Sequence, residues 1–200
     1  MLEIAKQEIS FGFTNETFQH GIHMCHVYND DAERDMVLEK FVTSGLSANE
    51  KVIVLADADT PAEIDEYLAG IGLFVDKERK TGQFVIDYFI RAYSLDGRFD
   101  AQQMIERWKG YCAQAREEGY TAVRVAAEAL CRQMRVPCSE QWDDYEARLD
   151  RLVCAYPFSG ILCQYDASLY CGKLILDIIS AHPLMVVRGQ IVKNPYYIRP

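Results

Sequence analysis

No apolar run in this chain reaches the ~18–20 residues needed to cross a bilayer. The first fifteen residues lack the basic and then apolar layout of a secretory signal. Both absences point to a cytoplasmic location and no membrane partner. Clustered basic residues are also scarce: Lys77, Arg79 and Lys80 form the one dense patch, in a chain of net charge −9. Broad phosphate contacts need clustered Lys and Arg, so direct nucleic-acid binding is not expected. No C-x-x-C pair occurs, which removes the usual redox, zinc-ribbon and haem-attachment signatures. There is no G-x-S-x-G elbow, internal repeat, low-complexity segment or linker. Neither glycine nor lysine falls between Tyr28 and Lys40, so the Gly-rich turn and Lys-Ser/Thr pair of a P-loop are missing.

What is present is the material of one globular domain. Half of the 200 residues are hydrophobic, enough for a single well-buried core. Seven cysteines is a high and odd number. Most fall inside expected helices or strands, where a reduced thiol acts as a small hydrophobe, and a disulfide framework is not expected in a reducing compartment.

The chain is organised around His23-Met24-Cys25-His26-Val27-Tyr28, a strand that runs into the polar turn Asn29-Asp30-Asp31. An amphipathic helix follows, with Val37, Leu38, Phe41 and Val42 on its apolar face, Glu33 in its first turn and Gly45 as its expected stop. Further strands are expected at 51–55, 83–87, 121–126 and 159–165. Helices are expected at 61–70, 101–118, 143–155 and 167–180, the last apolar on several sides and therefore well covered. Thr60 to Glu63 reads as a capped helix start. Residues 1–19 read as a lead-in with one strand or an irregular arm around Ile9 to Phe13, and 20–200 as a single domain. The tail, Leu184 to Val187 and Gln190 to Lys193, reads as a hairpin about Arg188-Gly189.

Strand and helix alternate, which implies an α/β fold: a mainly parallel sheet with helices on both faces and an antiparallel hairpin added at one edge. In such a sheet the C-terminal strand ends share one edge, where ligands usually bind. That edge would gather Tyr28, Asn29 and Asp30, then Asp57 and Asp59, Glu128, and Gln164, Tyr165 and Asp166, with Arg124 just below. Such a set reads as a polar ligand pocket; strand ends are also polar because they leave the core and cap helices.

His20, His23, Cys25 and His26 raise a metal reading, although in a strand His23 and Cys25 share one face while His26 and Tyr28 share the other. Cys25, Cys163 and the distant His182 leave a Cys–His pair open, against the plainer reading of buried structural thiols. His182-Pro183 most simply ends the last helix. The rings of Asn194-Pro195-Tyr196-Tyr197 either cover a pocket mouth or seal an edge strand.

One series of motifs resembles a known family. It runs His23-x-Cys25-x-x-Tyr28, Gly82-Gln83, Gly97-x-Phe99-Asp100, Gly119-Tyr120, Arg124-x-x-x-Glu128 and Tyr145-Glu146. It continues through Cys163-Gln164-Tyr165-Asp166, His182-Pro183 and Asn194-Pro195-x-Tyr197. In order and spacing this is similar to the MEDS domain, the sensory domain named for methanogens, methylotrophs and the regulator DcmR. The resemblance implies a RecA/KaiC-like fold that has lost the Walker lysine, hence no ATPase activity. It implies a sensory role in signal transduction or transcriptional control, with small one-carbon compounds as the proposed ligands.

The resemblance assigns ligand binding to His23, Cys25, Tyr28, Arg124, Glu128, Gln164, Tyr165 and Asp166, and Glu33 joins them in the first helical turn. Tyr28 and Tyr165 would form a hydrogen-bonding floor. Arg124 would pair with Glu128 or Asp166, and Cys25 and His23 would respond to redox state or pH. No output module is evident, so a separate signalling or transcription partner, or a homo-oligomer, would carry the response. No cofactor is named by the sequence. Two other readings stand beside this one: a metal- or thiol-dependent enzyme using His23 and Cys25, and a pure protein-interaction module.

Overall fold

The computed structural model describes residues 8–56, 61–88, 99–128 and 140–198. A seven-stranded sheet forms the centre. Its strands are β3 (Ile22–Tyr28), β4 (Lys51–Ala56), β5 (Phe84–Tyr88), β6 (Val123–Glu128), β7 (Phe158–Asp166), β8 (Leu184–Val187) and β9 (Gln190–Lys193), in spatial order β5-β4-β6-β7-β3-β8-β9. All pairings are parallel except β8 with β9. This is the expected architecture, hairpin included. The hairpin turn holds Arg188 and Gly189 at φ of 50° and 67°. Positive φ at both central residues suits the right-handed twist of the flanking strands, and glycine supplies the second without strain.

Helices cover both faces. On one lie α1 (Asp31–Ser47) and α2 (Pro61–Gly70), followed by a short α3 (Asp76–Lys80) that the periodicity did not reveal. On the other lie α4 (Ala101–Glu117), α5 (Glu140–Ala155) and α6 (Gly172–Ser180). The stripes behave as their spacing requires: Val37, Leu38, Phe41 and Val42 of α1, and Met104, Trp108, Cys112 and Ala115 of α4, are all buried. Asp30 and Asp100 cap α1 and α4 by accepting from Ala32 N and Gln103 N.

Three expectations are corrected. Gly45 does not stop α1, which continues to Ser47. Instead a Cβ at Gly45 would lie 2.7 Å from Arg124 Cδ, so glycine here makes room for a side chain from β6. The helix expected over 167–180 is a 3-10 turn, Ala167–Leu169, and then the shorter α6. It is not well covered: Ile178 is its one buried residue and Leu176 is exposed. In the lead-in, Ile9–Ser10 (β1) pairs with Thr17–Phe18 (β2), and Phe11 between them is fully buried against Phe41. Asp57, Asp59, Thr60, Gly97, Cys131 and Cys138 lie outside the described residues.

Candidate functional site

The residues singled out from the sequence fall into three separate places. The first is the C-terminal edge of the sheet on the α1 side, which holds Tyr28, Glu33, Glu128, Gln164 and Asp166. Gln164 Nε2 lies 3.4 Å from His26 Nδ1, and His26 Nε2 lies 3.5 Å from Glu33 Oε1. The cation here is Arg34, which pairs with Asp35 at 2.8 Å and reaches Glu128 at 3.8 Å. Its guanidinium lies 5.4 Å from the Tyr28 ring centroid and 5.1 Å from that of Tyr67. Burial and the nearby Glu128 push the Tyr28 phenol up to about 12. Asp166 is occupied locally, accepting from Ser168 N and Oγ at 2.9 and 2.6 Å.

Arg124 is elsewhere, and its expected pairing with Glu128 or Asp166 is not found. It is the second residue of β6, so its side chain emerges near the opposite end of the sheet. There Nε donates to Glu50 at 2.5 Å, the two terminal nitrogens donate to Ser44 Oγ, Phe41 O and Ser10 O, and the guanidinium carbon lies 5.0 Å from the ring centroids of both Phe11 and Phe41. Ser159 also donates to Glu50, at 2.7 Å. Every polar atom of this group faces a fixed protein partner, so it acts as a strut that ties the N-terminal segment, α1 and β6 together.

The third place is the α5 side of β3 and β7, and it is the densest chemistry among the described residues. Odd-numbered β3 positions face this layer, so His23 and Cys25 enter it. Cys163 and Tyr165 enter from β7, Glu146 from α5, and His182 just after α6. His20 is exposed and His26 faces the other layer, so neither joins. His23 Nε2 lies 3.2 Å from Glu146 Oε2 and 3.5 Å from Cys163 Sγ; His182 Nε2 lies 3.4 Å from the same Glu146 oxygen. Tyr165 donates to Glu146 Oε1 at 3.2 Å. His182 Nδ1 is 2.8 Å from Ile178 O, so that nitrogen carries a proton and donates it. His23 Nδ1 lies 2.6 Å from Asp150 Oδ1 and donates likewise. Four donor atoms, one each from His23, Glu146, Cys163 and His182, lie within 4.8 Å of one another, all buried.

Burial opposes charge on His23, but hydrogen bonds to Asp150, Cys163 and Glu146 outweigh it and hold its pKa well above 6.5. For His182 burial is likewise outweighed, by the Glu146 carboxylate and a hydrogen bond to Cys163, and its pKa also lies well above 6.5. Burial would raise Glu146; the two imidazoles instead hold it at about 2. Cys25 is different: burial raises its pKa, which keeps it a thiol and unsuited to nucleophilic attack.

The cluster itself is buried, but Asp150, bonded to His23, is partly exposed and reaches a surface cleft. A cleft of about 1010 Å³ runs between the start of β3, the outer side of α5 and the C-terminal tail. Phe18, Ile22, Val153, Pro183 and Leu184 supply apolar wall, and His20, His23, Asp150, Arg151 and Lys193 lie in its lining. Tyr197 lines it too, donating to Asp150 Oδ2 at 2.6 Å.

Comparison with known proteins places the chain in a family. The family model described as MEthanogen/methylotroph, DcmR Sensory domain matches residues 22–183. The chain belongs to the MEDS family. The match begins at the first residue of β3 and ends just past His182, so it includes all four clustered residues. A search of curated proteins finds no match.

Solved structures show the fold. The flagellar accessory protein FlaH from Methanocaldococcus jannaschii aligns over 86% of this chain and 74% of its own, at 10% identity and a TM-score of 0.51. The KaiC-like protein PH0186 from Pyrococcus horikoshii OT3 aligns over 90% and 79%, at 10% identity and 0.57. The uncharacterised PH0321 from Pyrococcus horikoshii, solved with an unknown peptide, aligns over 85% and 80%, at 12% identity and 0.59. The MEDS domain here is thus RecA/KaiC-like in fold. No described helix is long and apolar enough to cross a membrane.

Asp150 was not named from the sequence, Glu146 and Tyr197 entered only as motif members or as a ring at a pocket mouth or edge strand, and His182 was read mainly as a helix end. A carboxylate on an amphipathic helix looks like solvated surface, and Glu146 lies on the buried stripe only because Tyr145, Leu149 and Val153 flank it. The motif series contains Tyr145-Glu146, His182-Pro183 and Tyr197, which was a signal for three of them; Asp150 carried none.

Proposed function

We propose that this MEDS domain is a small-molecule sensor whose ligand enters the cleft beside α5, with Asp150 and His23 as its polar floor. The observation that carries this is the cleft: an apolar-walled space ending on a carboxylate that is bonded to a fully buried histidine. Pockets for organic ligands are mostly apolar with a few placed polar groups, and occupy roughly 300–1,000 Å³. A one-carbon compound would fill a small part of such a space. A larger amphiphilic molecule, with an apolar body and a hydrogen-bond donor for Asp150, suits it better, while His20, Arg151 and Lys193 in the lining disfavour a cationic head.

Nucleotide hydrolysis is not part of this reading. The β3–α1 turn is Asn29-Asp30, and Asp30, Asp31 and Glu33 crowd the helix N-terminus where a P-loop presents backbone N–H groups to phosphate. Three carboxylates there repel a triphosphate. The response passes to a separate signalling or transcription partner, or through a homo-oligomer.

Thermal melting against a panel tests the reading. The panel holds methanol, methylamine, dichloromethane, longer alkylamines and alcohols, and Mg-ATP. The expected result is a rise in melting temperature with a longer amphiphile, lost in Asp150→Asn. A rise with Mg-ATP alone, or no rise with any compound, contradicts it.

A further inference from the structure

Around Glu146 two imidazole nitrogens lie 3.2 and 3.4 Å from one carboxylate oxygen, and Cys163 Sγ lies 3.5 Å from the nearer of them. Glu146 Oε2 and His182 Nε2 are buried and face each other at 3.4 Å, yet neither atom makes a well-aligned hydrogen bond. Buried polar atoms without partners are rare in folded proteins and call for an explanation. We propose that His23 Nε2, His182 Nε2, Cys163 Sγ and Glu146 Oε2 bind one divalent cation of the zinc class.

The spacing fits. Ligands about 2.0–2.3 Å from a tetrahedral zinc stand about 3.3–3.8 Å from one another. The measured edges are 3.2 Å for His23 to Glu146, 3.5 Å for His23 to Cys163 and 3.4 Å for His182 to Glu146. The remaining edges are also within 4.8 Å. Without a cation, the two imidazole rings lie 4.4 Å apart and share one carboxylate.

The supporting groups fit as well. A metal-bound histidine donates its other N–H to a carboxylate or a carbonyl, which fixes the tautomer and frees Nε2. His23 does so to Asp150 and His182 to Ile178 O. The second oxygen of Glu146 is held by Tyr165. Each of these three ligands is therefore oriented by a neighbour with its free atom turned to the same point. Two imidazoles, one thiolate and one carboxylate favour zinc over magnesium or calcium, which prefer oxygen. Four protein ligands in a closed, buried set make a site that ties β3, β7, α5 and the end of α6 together, not one with an open position for catalysis.

This inference does not depend on the cleft ligand, and its test involves none. The full chain, carrying Cys154→Ser and Cys171→Ser to remove the two thiols exposed among the described residues, and Cys131→Ser and Cys138→Ser besides, is reduced, stripped with a chelator and titrated with Co²⁺. The expected result is one Co²⁺ per chain, with the intense visible bands of tetrahedral cobalt and a thiolate charge-transfer band. Cys163→Ser should lose the charge-transfer band, and His182→Gln should bind about 10–100-fold more weakly or worse. X-ray absorption of the zinc-loaded protein needs no further variant and should give one sulfur and three nitrogen or oxygen neighbours. No stoichiometric binding, a spectrum unchanged by Cys163→Ser, or a zinc shell without sulfur would overturn the proposal.

Discussion

His23 and Asp150 form a 2.6 Å hydrogen bond between a fully buried imidazole and a carboxylate that lines the surface cleft. This bond is a direct polar link between the inner cluster and the cleft, and Tyr197 closes it from the tail at 2.6 Å. Asp150→Asn removes the charge from this contact and should cost about 1.5–3 kcal/mol, whereas Tyr197→Phe should cost about 0.5–1.5 kcal/mol. Urea denaturation of the single and double variants measures both values. The pair should couple, because both bonds end on one carboxylate.

Arg124 makes the opposite case. Its guanidinium is buried between Phe11 and Phe41 and paired with Glu50, so Arg124→Met leaves a buried carboxylate without its partner. The expected loss is about 3–5 kcal/mol. Adding Glu50→Gln should recover part of it. Calorimetry on the three variants checks this, and any compound that binds the cleft should bind the double variant as it binds the wild type.

Gly45→Ala should destabilise the protein, although alanine favours a helix interior by about 1 kcal/mol over glycine. The new methyl would sit 2.7 Å from Arg124 Cδ and 2.8 Å from Nε. Shifting that side chain disturbs its bonds to Glu50 and Ser44. The check is a lower melting temperature for Gly45→Ala; a higher one would mean that the strut tolerates displacement.

His26 gives a pH prediction. Burial holds its pKa below 6.5 despite Glu33, so the folded protein keeps this ring neutral. The unfolded chain takes up a proton near pH 6.5 that the folded chain refuses. The stability from this group is therefore full above 6.5 and falls as pH drops through the lower folded value. The difference in unfolding free energy between wild type and His26→Gln should shrink over that acid window. A difference that grows on acidification would mean that His26 is charged in the fold.

The sheet was legible because buried parallel strands leave continuous apolar runs such as Lys51 to Leu55, and the helices because Met104, Trp108 and Cys112 recur at helical spacing. Boundaries slipped where tertiary contacts overrode local preference. Gly45 stays helical because Arg124 needs its space, and Leu174 to Ile179 looked like a covered helix although much of it faces solvent. The alternation of faces in β3 correctly separated His23 from His26. It did not show that the depth of Glu146 and His182 would complete a cluster around His23. Those partners come from α5 and from the chain after α6, more than 120 residues away, and their meeting depends on strand order β7-β3-β8 rather than on any local pattern.

The central claim is that the sensory site opens beside α5 and not at the C-terminal edge of the sheet. Equilibrium binding of the compound with the largest thermal shift, measured on Asp150→Asn and Glu128→Gln side by side, tests it most directly. The account predicts binding at least about tenfold weaker in Asp150→Asn, the loss of one charged hydrogen bond, and unchanged in Glu128→Gln. Weakened binding in Glu128→Gln with Asp150→Asn unaffected would contradict it and return the site to the strand ends around Tyr28.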